Sequence, residues 1–338
     1  MYVSFLSGKR VAAFTSAVFM ASMLAACGGG SNAVTPSMPY APQSISGDEQ
    51  LDSMTVAPDA AAAVESTVTA QTAHAFARQG APLAAVANVP RVAMAYAKDL
   101  TNYGGPTMKT AKQYNLYVNC AASCWGTPST FESHLNNSTM IHITDQYVGS
   151  TANGRYPYAG SVAISYKISG TLSDKDVYNI VHQAAAKYGT GYGKIYHVFF
   201  AKGVNECSQS AGGCYSPSNP NNWTYCAYHG SVNFSDIGHT IYSVEPYQAV
   251  NGCEPNQMPN GAVVDATAST LSHETFEAIT DTDVAANNLA WYNNTYGEIG
   301  DECAPAAGVA TGTVSLYGKT YGIQKEYSNY SHACKYSK

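Results

Sequence analysis

The sequence predicts a single α+β domain: a twisted mixed sheet, a central helix bearing the functional side chains, and loops stapled by disulfides. Three observations predict it. Only 12% of the 338 residues are charged, against about a quarter in ordinary soluble domains, while 29 Gly and 26 Tyr are present, which excludes a helical bundle. Short runs of alternating apolar residues are interleaved with amphipathic ones. Eight cysteines follow Cys27, an even number that suits an oxidising compartment.

The N-terminus reads as an export signal. Lys9 and Arg10 precede the apolar stretch Val11 to Leu24, too short for a permanent span, and Leu24-Ala25-Ala26-Cys27 follows directly. That ending resembles the lipobox of bacterial lipoproteins. Residues 1–26 would be removed, Cys27 would carry lipid as a membrane anchor, and Gly28-Gly29-Gly30-Ser31 would begin a tether. The implied address is the outer membrane or cell surface. Residues 27–95 are rich in Ala, Ser, Thr and Pro and too poor in large apolar groups to offset their ordering entropy. They are expected to be a low-complexity tether with a helix over 60–78.

The folded domain is placed at 96–338, because all but two of the tyrosines and all three tryptophans lie there. Strands are expected at 113–119, 140–144, 161–168, 194–200, 239–245 and 321–327. Ser129 with Glu132, and Ser173 with Asp176, have capping-box spacing, and the second opens a helix from Asp174 to Tyr188 that Gly189 stops. The stretch 201–238, rich in Cys, Asn, Ser, Pro and Gly, reads as a stapled loop region. The spacings favour the bridges Cys120–Cys124, Cys207–Cys214 and Cys303–Cys334, and leave Cys226 and Cys253. No Cys-x-x-Cys pair supports a cysteine zinc site. With a formal charge of −6 and no cluster of Lys and Arg, a nucleic-acid partner is excluded.

The chemistry concentrates in residues 259–303. Asp265 can cap a helix running to about Thr280, on which His273 and Glu277 lie four apart and share a face, with Glu274 one step around. This is the spacing of the zincin helix His-Glu-x-x-His, with a carboxylate in place of the second histidine. Glu298 follows 21 residues after Glu277, and Asp301 three after that. Thermolysin-like peptidases bring a third ligand Glu from about this distance. The expected metal ligands are therefore His273, Glu277 and Glu298, with Glu274 as general base, and Asp301 and Asp265 supporting the site from behind. Zn²⁺ is the expected ion. Two carboxylates and one His make a harder donor set, so Mn²⁺ and Ca²⁺ are alternatives.

The motifs Tyr103-Gly104-Gly105-Pro106, Cys226-Ala-Tyr-His229, Pro259-Asn260-Gly261 with Val264-Asp265, His273-Glu274-x-x-Glu277, Trp291-Tyr292 and Glu298-Ile-x-Asp301-x-Cys303 come in an order that resembles the phosphate-induced, or EXORDIUM-like, secreted proteins of plants and their bacterial and fungal relatives. The family has His-Gly-Gly-Pro at the first motif and a Trp-Tyr pair in the first strand that this chain lacks. The resemblance implies an extracellular or wall-associated protein and fixes no reaction. It places His229 in a matched motif, as a catalytic donor on the oxyanion side, a further ligand, or a buried hydrogen-bonded histidine. His142, His182, His197, His239 and His332 sit in ordinary contexts; Asp281 and Asp283 read as loop carboxylates or a Ca²⁺ site, and Asp281, eight residues after His273, alternatively as a helper of the main site. The resulting expectation is a zincin-like hydrolase acting on a peptide or envelope ligand. The alternative is a surface binding protein whose His/Glu/Asp cluster is structural.

Overall fold

The computed structural model describes residues 50–82 and 96–338, so the leader, the lipobox and Cys27 lie outside the described residues. In chain order its principal strands are β1 (Gln50–Val56), β2 (Val68–Ala77), β3 (Lys112–Val118), β4 (Tyr158–Tyr166), β5 (Lys194–Phe200), β6 (Tyr225–Phe234) and β7 (Gly238–Glu245). They form one mixed sheet in the order β1-β4-β3-β5-β7-β6-β2, in which every strand but β6 runs the same way. Three helices pack on it: α1 (Pro128–Asn136), α2 (Asp174–Tyr188) and α3 (Ala262–Thr280).

Two cores result from strand alternation. Leu116, Val118, Tyr196, Val198 and Tyr242 meet α2 through Val177, Ile180 and Val181. Ile195, Phe199 and Ile241 join Leu271, Phe276 and Ile279 of α3 on the opposite face. Helix α2 begins as its sequence dictates, with Ser173 and Asp176 closing a reciprocal capping box. Helix α3 is buried continuously from Asp265 to Thr280. A helix apolar or buried all round belongs in a core rather than at a surface, and its polar residues therefore require partners.

Several expectations are corrected. Residues 50–77 are no tether: they supply β1 and β2, which close opposite edges of the sheet, and the expected helix over 60–78 is reduced to Ala61–Glu65. An edge strand needs apolar contact on little of its surface, so Ala- and Thr-rich sequence suffices. Residues 141–144 form a 3-10 turn rather than a strand, its Thr144 hydroxyl donating to the Ile141 carbonyl at 2.6 Å. The loop expected at 201–238 contains the whole of β6. Helix α1 starts at Pro128, so Ser129 lies inside it and Glu132 turns to the sheet, accepting from Asn115 Nδ2 at 2.7 Å. Helix α3 starts three residues before Asp265. The Asp265 carboxylate instead receives the backbone N–H of Asn260 at 2.6 Å and of Gly322 at 2.9 Å, tying the helix start to the C-terminal hairpin.

All three favoured disulfides are present, and Cys226–Cys253 is the fourth. Four bridges place the folded chain in an oxidising, extracellular environment. No described helix is long and apolar enough to cross a membrane.

Candidate metal centre

On the face that meets α3, one polar residue per strand stands in register across six strands: His74, His229, Ser243, His197, Asn115 and Ser161. All are buried. The middle of this row satisfies itself, with His197 Nδ1 2.8 Å from the Ser243 hydroxyl and His197 Nε2 3.1 Å from Gln113 Oε1. Burial holds His197 neutral, its pKa pushed down to about 3. The His74–His229 end lies instead under His273, Glu274 and Glu277 of α3.

There the side chains converge. His229 Nδ1 is 3.4 Å from Glu274 Oε2 and 3.5 Å from Glu277 Oε2, and its Nε2 is 3.7 Å from Glu298 Oε1. His273 Nε2 is 3.0 Å from Glu277 Oε1, to which Asp301 donates its backbone N–H at 3.2 Å. His74 Nε2 is 2.6 Å from Asp301 Oδ2. His229, His273, Glu274, Glu277, Glu298 and Asp301 are all 0% exposed. Space is tight: a Cβ on Gly300 would stand 2.5 Å from His273 Nδ1 and 2.9 Å from Glu277 Oε1.

Proton accounting separates the two helix-facing histidines. Gln324 Nε2 lies 3.0 Å from His273 Nδ1 while also reaching the Gly300 carbonyl at 3.1 Å, so it donates and the His273 ring proton sits on Nε2. His229 Nε2 faces the Asp281 carbonyl at 3.2 Å and donates to it, which leaves Nδ1 as the ring atom turned toward the Glu274 and Glu277 carboxylates. Among the described residues, His229 Nδ1, His273 Nε2, both oxygens of Glu274 and Glu298, Glu277 Oε2, Asp281 Oδ2 and Asp301 Oδ1 have no hydrogen-bond partner. Buried acceptors facing one another are stable only with a cation or a proton between them.

The electrostatics carry the same strain. Burial first, then the neighbouring Glu277, pushes Glu274 well above the usual carboxylate range, and burial with Glu277 and Asp281 does so for Glu298. Burial acts against ionisation of Glu277 too, but His273 and His229 hold it below its ordinary value. Two triads each bring one ligand atom per residue within 4.8 Å of the others: His229, Glu277, Glu298, and His273, Glu274, Glu277. Imidazole and carboxylate donors of this kind suit Zn²⁺ or Mn²⁺.

The expected ligand set is thus divided. Glu277 is common to both triads, Glu298 is grouped with His229, and His273 is grouped with Glu274. Asp301 reaches Glu277 by its backbone N–H while its carboxylate pairs with His74 rather than with His273, and Asp265 is occupied at the far end of α3. Asp281 lies at the cluster, and Asp283 turns away to Tyr192 and His239. Sequence reasoning missed His74, which sat in the supposed tether, and the roles of Gln324 and Gly300. No family model matches the chain. No curated protein sequence matches it either.

Proposed function

We propose that the chain is an exported metal-dependent hydrolase with a zincin-like site, related to the EXORDIUM-like proteins and anchored through lipid at Cys27, acting on peptide or envelope material. The observation that supports it is the convergence of His229 Nδ1 with Glu274 and Glu277, at 3.4 and 3.5 Å and without a hydrogen bond among the described residues, inside a wholly buried cluster. His229, Glu277 and Glu298 would hold the cation. A bound Zn²⁺ or Mn²⁺ supplies Lewis acidity and lowers the pKa of water at that point. Glu274 adjoins His229 without being needed in that triad, and is the residue placed to take up and return a proton. His273, with its proton on Nε2, steadies Glu277 rather than ligating.

A second reading has its own observation. Every side chain of the cluster is inaccessible, which suits a structural ion in a binding protein. Elemental analysis of the folded chain after dialysis against metal-free buffer, beside His229→Ala and Glu274→Gln, tests both. About one ion per chain, lost in His229→Ala, is expected; none in the wild type would sink the metal centre. With peptide substrates, Glu274→Gln that keeps its ion and loses turnover supports the hydrolase. Absence of turnover in the wild type would leave the structural ion.

A further inference from the structure

Strand β2 places two side chains against the metal centre from one face: His74, and Phe76, whose ring stacks on His273 at 3.9 Å. His74 is paired directly across the strands with His229 and is 3% exposed. Its Nε2 is 2.6 Å from Asp301 Oδ2 and 3.7 Å from Glu298 Oε2. The same Asp301 oxygen accepts the backbone N–H of Glu298 at 3.2 Å, and the Asp301 N–H is donated to Glu277 Oε1. Asp301 therefore touches the turn that carries one acidic residue of the triad and the side chain of another. Gly297, with φ +90°, lets the turn close, since a Cβ there would stand 2.1 Å from Asp301 Oδ2.

We infer that His74 is a positioning residue of the metal centre, which by clamping Asp301 fixes both Glu298 and Glu277, so that the segment 50–77 is a working part of the site. The inference rests on the metal reading given above. Hydrogen bonds behind ligands of this kind orient them and set their basicity, and their loss costs about 10–100-fold in metal affinity. His74 has the geometry for that task, its Nε2 lying nearer to Asp301 Oδ2 than to Glu298 Oε2. Its pKa follows the pairing: burial pulls it down, but Asp301, then Glu277 and Asp281, outweigh burial and leave it raised.

The test is Zn²⁺ affinity by competition with a chromophoric chelator, on the full chain and on His74→Ala, His74→Gln and Asp301→Asn. Gln can place an N–H near the position of the ring Nε2. His74→Ala is expected to weaken Zn²⁺ about 10–100-fold, His74→Gln to restore most of that, and the His74→Ala/Asp301→Asn pair to lose little more than either alone. Wild-type affinity in His74→Ala overturns the positioning role alone, as does equal loss in the Ala and Gln variants, which would mark mere packing. A wild type that binds no Zn²⁺ overturns the metal reading together with this inference. Should His74→Ala fail to fold, the Gln and Asp301→Asn variants carry the test.

Discussion

Two of the places where the protein buries carboxylates are treated oppositely. Glu206, beside the Cys207–Cys214 bridge, is fully buried, yet both its oxygens are satisfied: Tyr225 donates its hydroxyl to Oε2 and Tyr228 to Oε1. The Glu274, Glu277 and Glu298 carboxylates are equally buried and leave five oxygens without a donor among the described residues. Phenols close the first site completely with the chain's own groups. The second gathers more acceptors than its donors reach, and buried acceptors gathered at one point need a cation or a proton between them. Burial is the same in both, so what separates them is the donor inventory.

The largest expected effect tests that contrast at its centre. Glu277→Gln, which removes the charge shared by both triads, should weaken Zn²⁺ more than about 100-fold, read by elemental analysis and chelator competition. Next, the histidines should separate: His229→Ala should lose the ion outright, whereas His273→Ala should cost about tenfold, as befits a group behind a ligand. Equal losses would overturn the proton assignment.

Removing the cation should then lower thermal stability. At a free ion concentration about 100 times Kd the ion contributes about 2.7 kcal/mol, or roughly 5–10 °C in a domain of this size, and Glu277→Gln should show no such shift with chelator. The smallest effect lies at the contrasting site. Burial pushes Glu206 up to about 8, opposed by its two tyrosines. A folded pKa raised above the unfolded 4.5 gives stability that is full below about pH 4.5 and is lost as pH rises towards 8. Glu206→Gln, followed by urea midpoints at pH 5 and 8.5, should flatten that fall and leave metal binding unchanged.

What could be read from the sequence follows from how local each signal is. The runs giving β3, β5 and β7, and the capped helix α2, lay in consecutive residues and were legible as such. His273 and Glu277 were legible because one helix turn brings them together. Ile141-His-Ile-Thr144 has strand composition, but its side chains serve a tight turn under α3. His74 had no local signal at all. Its meaning comes from pairing with His229 and Asp301, more than 150 and 220 residues away, through an edge strand whose Ala-rich sequence resembles a spacer.

The placement of β1 and β2 also orders events in time. Although made first, they join strands from the middle and later parts of the chain, β1 pairing Gln50 with Ser161 and β2 pairing Val68 with Phe234. Such distant contacts fold slowly, because loop-closure entropy must be met before the contacts form. The β1 edge waits for the chain as far as Tyr166, and the β2 edge cannot join the sheet until the chain as far as Glu245 is available. A polypeptide with that schedule keeps His74 apart from His229 until β6 has been made, so the buried His/Glu cluster is among the last parts of the fold to close.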